Sequence, residues 1–145
     1  MAGFGVRYSP AAKLANELAD AADGRQLTKT IVRYGRADLL CIVELGYMEL
    51  DRRGAERLLQ VLTGREEKAS VAIASNESFS GWTKTFTDPR LCAAIADRLT
   101  YGGTIIETGT QSYRLARIKG LLLPSGSVGE VLSVFAQRAE RRVMR

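Results

Sequence analysis

Runs of apolar residues in this chain change their spacing at regular intervals, and the spacing predicts the elements. Phe4 to Tyr8 is a short β-prone segment ending at Ser9-Pro10, where a serine oxygen can accept the free N–H groups of a helix start and proline suits the first helical position. Leu14, Leu18 and Ala21 or Ala22 recur at helical spacing, so a core-facing helix is expected from about Pro10 to Ala22, stopped by Asp23-Gly24. From Asp38 to Glu44 the residues are almost continuously apolar, which fits a parallel strand covered on both faces by helices. A further helix is expected from near Asp51, with Ala55, Leu58, Leu59 and Leu62 on one face and Gly64 closing it. Ser70 to Ser75 reads as a second buried strand, with Asn76 emerging at its carboxyl end. Asp88-Pro89 opens a helix carrying Leu91, Ala94, Ile95, Ala96 and Leu99, and after Gly102-Gly103 the segment Thr104 to Glu107 gives a last strand.

Strands alternating with helices of this length predict an α/β domain with a mainly parallel sheet. Beyond Gly120 the pattern changes. Leu121-Leu122-Leu123-Pro124-Ser125-Gly126 reads as a linker, and Ser127-x-x-Glu130 is a capping box for a final helix. Val128, Val131, Leu132, Phe135 and Ala139 line one side of that expected helix, while Arg138, Arg141, Arg142 and Arg145 make its end basic. Such an arginine run suits either a solvated helix face or a contact with a phosphate backbone.

Composition narrows the chemistry. At 145 residues the chain has room for one domain, and folding at that length buries roughly two-thirds of the unfolded surface. The net charge of +5 permits nucleic-acid binding without demonstrating it. Histidine is absent, which removes Ser-His-Asp and Cys-His arrangements and argues against a structural zinc site. Cys41 and Cys92 lie in apolar segments without metal-ligand spacing, so reduced buried thiols and a cytoplasmic location are expected. No apolar run approaches the ~20 residues of a membrane span, and the first residues lack the pattern of a secretory signal.

The segment Leu39-Leu40-Cys41-Ile42-Val43-Glu44 has the shape of a Walker B strand, an apolar run ending in one carboxylate. The aspartate that would precede that glutamate is Val43, which cannot accept a hydrogen bond from a magnesium-bound water. No Gly-x-x-x-x-Gly-Lys-[Ser/Thr] phosphate loop occurs in the sequence, because Gly3 and Gly5 are not followed by a Gly-Lys pair. By itself, an acidic residue after an apolar strand is commonly a solvated strand end, and an asparagine there is often a turn former. Trp82 and Tyr113 are expected to pack rather than to stack on bases.

From about Val6 to Leu115 the chain resembles the IstB-type transposition helper ATPases of bacterial insertion sequences, relatives of the helicase-loader branch of AAA+ proteins. The resemblance is carried by Val6-Arg7-Tyr8, Asp38-Leu39-Leu40, Glu44-Leu45-Gly46-Tyr47 and Ala74-Ser75-Asn76 with Phe79 and Trp82. It continues through Asp88-Pro89-Arg90-Leu91, Asp97-Arg98-Leu99 and Gly109-x-x-Ser112-Tyr113-Arg114. The resemblance implies that Glu44 activates the attacking water, that Asn76 senses the γ-phosphate, and that Arg98 is an arginine finger acting on a neighbouring subunit. For Arg98 the plain alternative is a helix-end cation serving its own helix dipole.

In such a protein a strand, the phosphate loop and its helix precede the segment that begins here at about Phe4. The resemblance therefore implies an amino-terminally truncated P-loop NTPase, AAA+-like in its mainly parallel sheet flanked by helices, lacking the first strand, phosphate loop and first helix. Residues 1–119 would form the partial ATPase domain, and residues 120–145 the linker and basic amphipathic helix. The implied cofactors are ATP and Mg2+, with no protein metal ligand assigned and little ATP binding or hydrolysis expected of the chain alone. The implied partners are further copies or intact relatives in an oligomer, DNA and a transposase. The alternative function is a non-enzymatic interaction or DNA-associated module that assembles with intact relatives. The missing strand would lie between the strand ending near Ser75 and that at Thr104 to Glu107, opening a gap of about 9.6 Å. Three outcomes are open: the last strand slides across, another chain fills the gap, or the protein is only partly folded. Sliding or filling by another chain is the expectation, because unpaired buried backbone groups are costly.

Overall fold

The computed structural model describes residues 3–65, 69–77, 79–101, 103–107 and 133–137. Strand β1 (Val6–Pro10) is followed by helices α1 (Ala11–Asp23) and α2 (Leu27–Gly35), then β2 (Leu39–Leu45), α3 (Arg52–Arg65) and β3 (Ser70–Ser75). A short 3-10 turn at Phe79–Gly81 leads into α4 (Trp82–Thr85), α5 (Pro89–Thr100), β4 (Gly103–Glu107) and β5 (Ser133–Gln137). The five strands form one sheet in the order β1-β2-β3-β5-β4. β1, β2 and β3 are parallel to one another, and β5 runs antiparallel to both β3 and β4.

Local signals account for most boundaries. Asp88 caps α5, its Oδ1 accepting from the Arg90 and Leu91 N–H groups at 2.9 and 3.3 Å, with Pro89 at the first turn. Asp51 Oδ1 accepts from Gly54 N at 2.8 Å at the start of α3. Ser9 does not cap α1 as the sequence suggests: it is buried at the end of β1 and its hydroxyl donates to the Pro10 carbonyl. Helix α2 has no counterpart in the sequence reading. Its nine residues fully bury only Tyr34, but Leu27 and Ile31, two turns and one turn earlier on the same face, pack against the core beside it, a short apolar stripe that the sequence reading passed over.

One core joins the sheet to the helices. Leu40 and Ile42 of β2 and Val71 and Ile73 of β3 point to the covered face, where they meet Leu14 and Leu18 of α1, Leu58, Val61 and Leu62 of α3, and Ile95 and Leu99 of α5. The crossovers all step the same way across the sheet, and right-handed connections in one direction lay their helices on one face. Accordingly the opposite-facing residues Leu39, Cys41 and Val43 are only half-buried, rather than covered as a strand buried on both faces would be. Trp82 and Phe86, packed edge to face at 5.8 Å, extend the core beneath the segment before α5.

At the amino ends of the strands, Arg65 closes the core. Its buried guanidinium donates to the carbonyls of Tyr34, Ala37 and Ser70, tying the end of α2, the approach to β2 and the start of β3 to the last turn of α3. Its Nε–H is buried without a partner, and burial lowers its pKa from the ordinary arginine value.

The gap expected between β3 and β4 is filled from within the chain. Residues 133–137 form a strand in that position, so the helix expected from Ser127 does not extend through them, and the last strand neither slides across nor needs another chain. At residues 133–137 the expected helix gives way to a strand because β3 and β4 each offer a row of backbone groups that only an extended segment can pair. Val134 and Phe135 suit such a segment. Ser127, Glu130, Tyr113, Arg114 and the tail arginines lie outside the described residues.

Candidate functional site

The carboxyl ends of β2 and β3 are fastened to each other by one buried hydroxyl. Ser75 Oγ donates to the Leu45 carbonyl at 2.8 Å and accepts from the Glu77 N–H at 3.1 Å, while Asn76 N donates to the same Leu45 carbonyl at 3.2 Å. Just before this clamp the β2–β3 register shifts between Ile42 and Leu45. Glu44 sits in that irregularity with φ +59°, a left-handed conformation uncommon for a residue with a Cβ. The shift turns the Glu44 side chain into solvent at the end of a strand whose other residues are buried or half-buried.

Gly46 then lets the chain leave. Its φ is +114°, and a Cβ there would fall on Asn76 Oδ1 closer than any real Cβ approaches. The turn after β2 therefore passes directly against the Asn76 side chain, whose Oδ1 is buried without a hydrogen-bond partner. An unpaired buried amide oxygen on the same rim as an exposed carboxylate is the feature that marks this rim as a candidate site, since such groups are costly where they serve only structure. The loop is braced from the other side by the Leu50–Phe86 bridge, with Leu50 N donating to Thr85 O at 2.7 Å and Thr87 N to Leu50 O at 3.1 Å.

Glu44 and Asn76, singled out from sequence, thus lie at neighbouring strand ends on one rim. Arg98 does not join them. It occupies the last turn of α5, which runs back toward the start of β4, so it lies at the amino end of the strands and is half-buried there. Val43 is half-buried and offers no side-chain oxygen. Among the described residues no group of three His, Cys, Asp or Glu side chains could hold a metal ion. An apolar hollow between α1, β2 and α3, lined by residues such as Leu14, Leu18, Ile42 and Leu58, has no polar group to orient a nucleotide.

Sequence reasoning missed Gly46 and Ser75 as parts of the site, although both stood inside quoted motif blocks. Their signal was a glycine two residues past the strand-ending acid and a hydroxyl immediately before the asparagine. Which atoms they touch depends on the register shift. Cys41 and Cys92 are both free thiols, and burial raises the Cys92 pKa. No described helix is long and apolar enough to cross a membrane.

Comparison with known proteins places this rim in context. A family model described as IstB-like ATP binding protein matches residues 1–119. The named ATP-binding protein of insertion sequence IS21 from Pseudomonas aeruginosa is 33% identical over 114 residues, which covers 79% of this chain and 43% of that protein. The corresponding protein of insertion sequence IS5376 from Geobacillus stearothermophilus is 34% identical over 113 residues, 78% of this chain and 45% of the relative. An insertion-sequence ATP-binding protein of Sinorhizobium fredii is 31% identical over 112 residues, 77% of this chain and 38% of the relative. The chain therefore spans less than half the length of each of these relatives.

Proposed function

This chain belongs to the IstB-like ATP-binding protein family, and from that premise we propose that it carries the hydrolytic rim of an insertion-sequence transposition helper, while the phosphates of ATP are held by groups outside these residues. Glu44 orients the attacking water, and Asn76 reads the γ-phosphate through its side-chain amide. Arg98, at the opposite end of the strands, serves the site of a neighbouring subunit. The observation that carries this reading is the shared clamp at the ends of β2 and β3, which sets an exposed carboxylate and an asparagine with a buried, unpartnered Oδ1 at neighbouring strand ends.

Phosphoryl transfer depends mostly on positioning and charge neutralisation. Glu44 and Asn76 supply the water-orienting and sensing parts. With valine at 43, Mg2+ would have to arrive with the nucleotide and its phosphate-binding groups, so no step is assigned to the metal here. These residues accordingly do not hydrolyse ATP by themselves and work in an oligomer, in contact with DNA and the transposase.

The test is a titration of the full chain with fluorescent ATP, with and without Mg2+, followed by mixing with an intact relative. The folded chain alone is expected to show no saturable binding, and its addition to the relative is expected to change ATP turnover in an Arg98-dependent way. Saturable, Mg2+-dependent binding by the chain alone would sink the view that the phosphates are held elsewhere. An effect on the relative that survives Arg98→Ala would remove that residue from the site.

A second reading, a DNA-associated module, is favoured by the turn into α2 and by α2 itself. Residues 25–36 hold four cations, Arg25, Lys29, Arg33 and Arg36, and no carboxylate. All four are exposed, and Lys29, Arg33 and Arg36 share one side of the helix. Arg33 is partly engaged with Glu17 at 3.2 Å. Replacing Lys29 and Arg36 by alanine is expected to lower DNA affinity and to reduce the salt slope by about two. An unchanged slope would exclude α2 from the contact.

A further inference from the structure

Strand β1 is an edge of the sheet, and it carries an alternation that the rim does not use. Phe4, Val6 and Tyr8, at every second position, are 66%, 62% and 66% exposed. Tyr8 stands opposite Cys41, and Cys41 opposite Ala72, so the neighbours of its ring across the sheet are side chains too small to cover a phenol. Single exposed hydrophobic residues are ordinary, but three in succession along one strand make a patch, and such patches mark interaction surfaces.

The other side of the same edge is cationic. Arg7 turns toward the helices, its guanidinium carbon 4.4 Å from the centre of the Tyr34 ring in α2, and Arg33 lies 5.6 Å from the same ring. Tyr34 thereby joins β1 to the helix whose exposed side carries Lys29, Arg33 and Arg36. The carboxylates that touch this strip are already engaged: Glu17 accepts from Tyr34 and Arg33, and Asp38 accepts from the Gly5 N–H. Exposed rings and a row of cations thus lie on opposite faces of one edge strand.

We propose that β1 and α2 form a platform for single-stranded nucleic acid, with bases stacked on Phe4 and Tyr8 and phosphates held by Lys29, Arg33 and Arg36. The platform deepens the DNA-associated reading above and rests on it. Charge sets the partner as a polyanion, since residues 25–36 hold four cations and no carboxylate. The rings set its form: stacking on an aromatic side chain needs an unpaired base, and in a duplex the base faces are already covered by their neighbours. A nucleotide that crosses the edge of β1 places its phosphate on the α2 side and its base on the Tyr8 side. Helix α2 has nine residues, a length of about 13 Å, so it meets few phosphates and the affinity depends on the stacked bases as well.

The test titrates the full chain at low salt into a fluorescent oligothymidylate of about 15 nucleotides and into a duplex of the same length, read by anisotropy. The single strand is expected to bind more tightly. Tyr8→Thr keeps a strand-forming residue and removes the ring; it is expected to weaken single-strand binding about fivefold to a hundredfold while leaving duplex binding and the salt slope unchanged. Tyr8→Trp is expected to keep the affinity. Its new indole should be quenched by oligothymidylate beyond the change seen in the natural chain, whose one tryptophan, Trp82, is buried in the core. Equal affinity for the two probes, with no effect of Tyr8→Thr and no quenching in Tyr8→Trp, would overturn the platform and leave α2 as a phosphate contact. Binding of neither probe would overturn the DNA-associated reading and the platform with it.

Discussion

The conformation of single residues at the strand ends sets what the rim can do. Glu44 holds a left-handed backbone that costs a residue with a Cβ roughly 1–2 kcal/mol, and such strain is commonly kept where function needs it. Glu44→Gly is expected to raise the unfolding midpoint, equivalent to about 1 kcal/mol once the added chain entropy of glycine is counted; a lower midpoint would show that the position is unstrained. Arg65 is a different case, a buried cation whose guanidinium donates to carbonyls of three segments. Arg65→Met leaves those carbonyls without their donor and is expected to destabilise the fold by about 3 kcal/mol in denaturant titration. A loss within error would mean the clasp is replaceable by apolar packing. Tyr34 is buried between the Arg7 and Arg33 guanidiniums and donates its hydroxyl proton to Glu17. Burial first, and the Glu17 carboxylate second, raise its pKa above 10.0. Because the folded value is the higher one, the stabilisation it gives is complete below pH 10.0 and is lost as pH rises through the folded pKa. The difference in stability between the natural chain and Tyr34→Phe should therefore shrink above pH 10.0; a difference that stays flat would refute the coupling.

At the scale of elements, the tail strand is the member on which the sheet's continuity rests. β5 pairs on both sides, so it behaves as a central strand although it comes from the end of the chain. Val134→Pro removes a donor from a strand that has no free edge. Amides of Val71–Ser75 and Gly103–Glu107 are expected to be protected from hydrogen exchange in the natural chain and to exchange much faster in the variant. Equal protection in both would place the tail outside the sheet. Helix α2 shows the opposite relation between pattern and role. It packs only a short stripe, Leu27, Ile31 and Tyr34, on the core and is held besides by Arg65 and by the contacts of Tyr34 and Arg33 with Glu17, and a stripe of two turns is easily passed over in sequence.

For the whole molecule, one core between the sheet and helices α1, α3 and α5 predicts a single cooperative transition. Trp82, the one tryptophan, is buried in that core. Its fluorescence and the far-ultraviolet dichroism are expected to change together on denaturation, and separated midpoints would reveal two units. The positions of α1, β2, α3, β3 and α5 were legible from residue order alone, because burial of Leu14, Leu18, Leu40, Ile42, Leu58, Ile73 and Ile95 writes the period of each element into the chain. Glu44 and Asn76 were legible for a related reason: each stands where polar residues emerge at the carboxyl end of an apolar strand. The sequence by itself determined the α/β class, the capped helix starts at Asp51 and Asp88, and the chemical types available at the rim. Tertiary structure alone decided that Ser75 and Gly46 fix the distance between the two strand ends, that Arg98 lies at the far end of the sheet, and that residues 133–137 abandon a helical pattern for a strand. Local spacing records only which face of an element is buried, whereas strand pairing is decided by backbone edges brought together from distant parts of the chain, and an unpaired edge outweighs a weak helical preference.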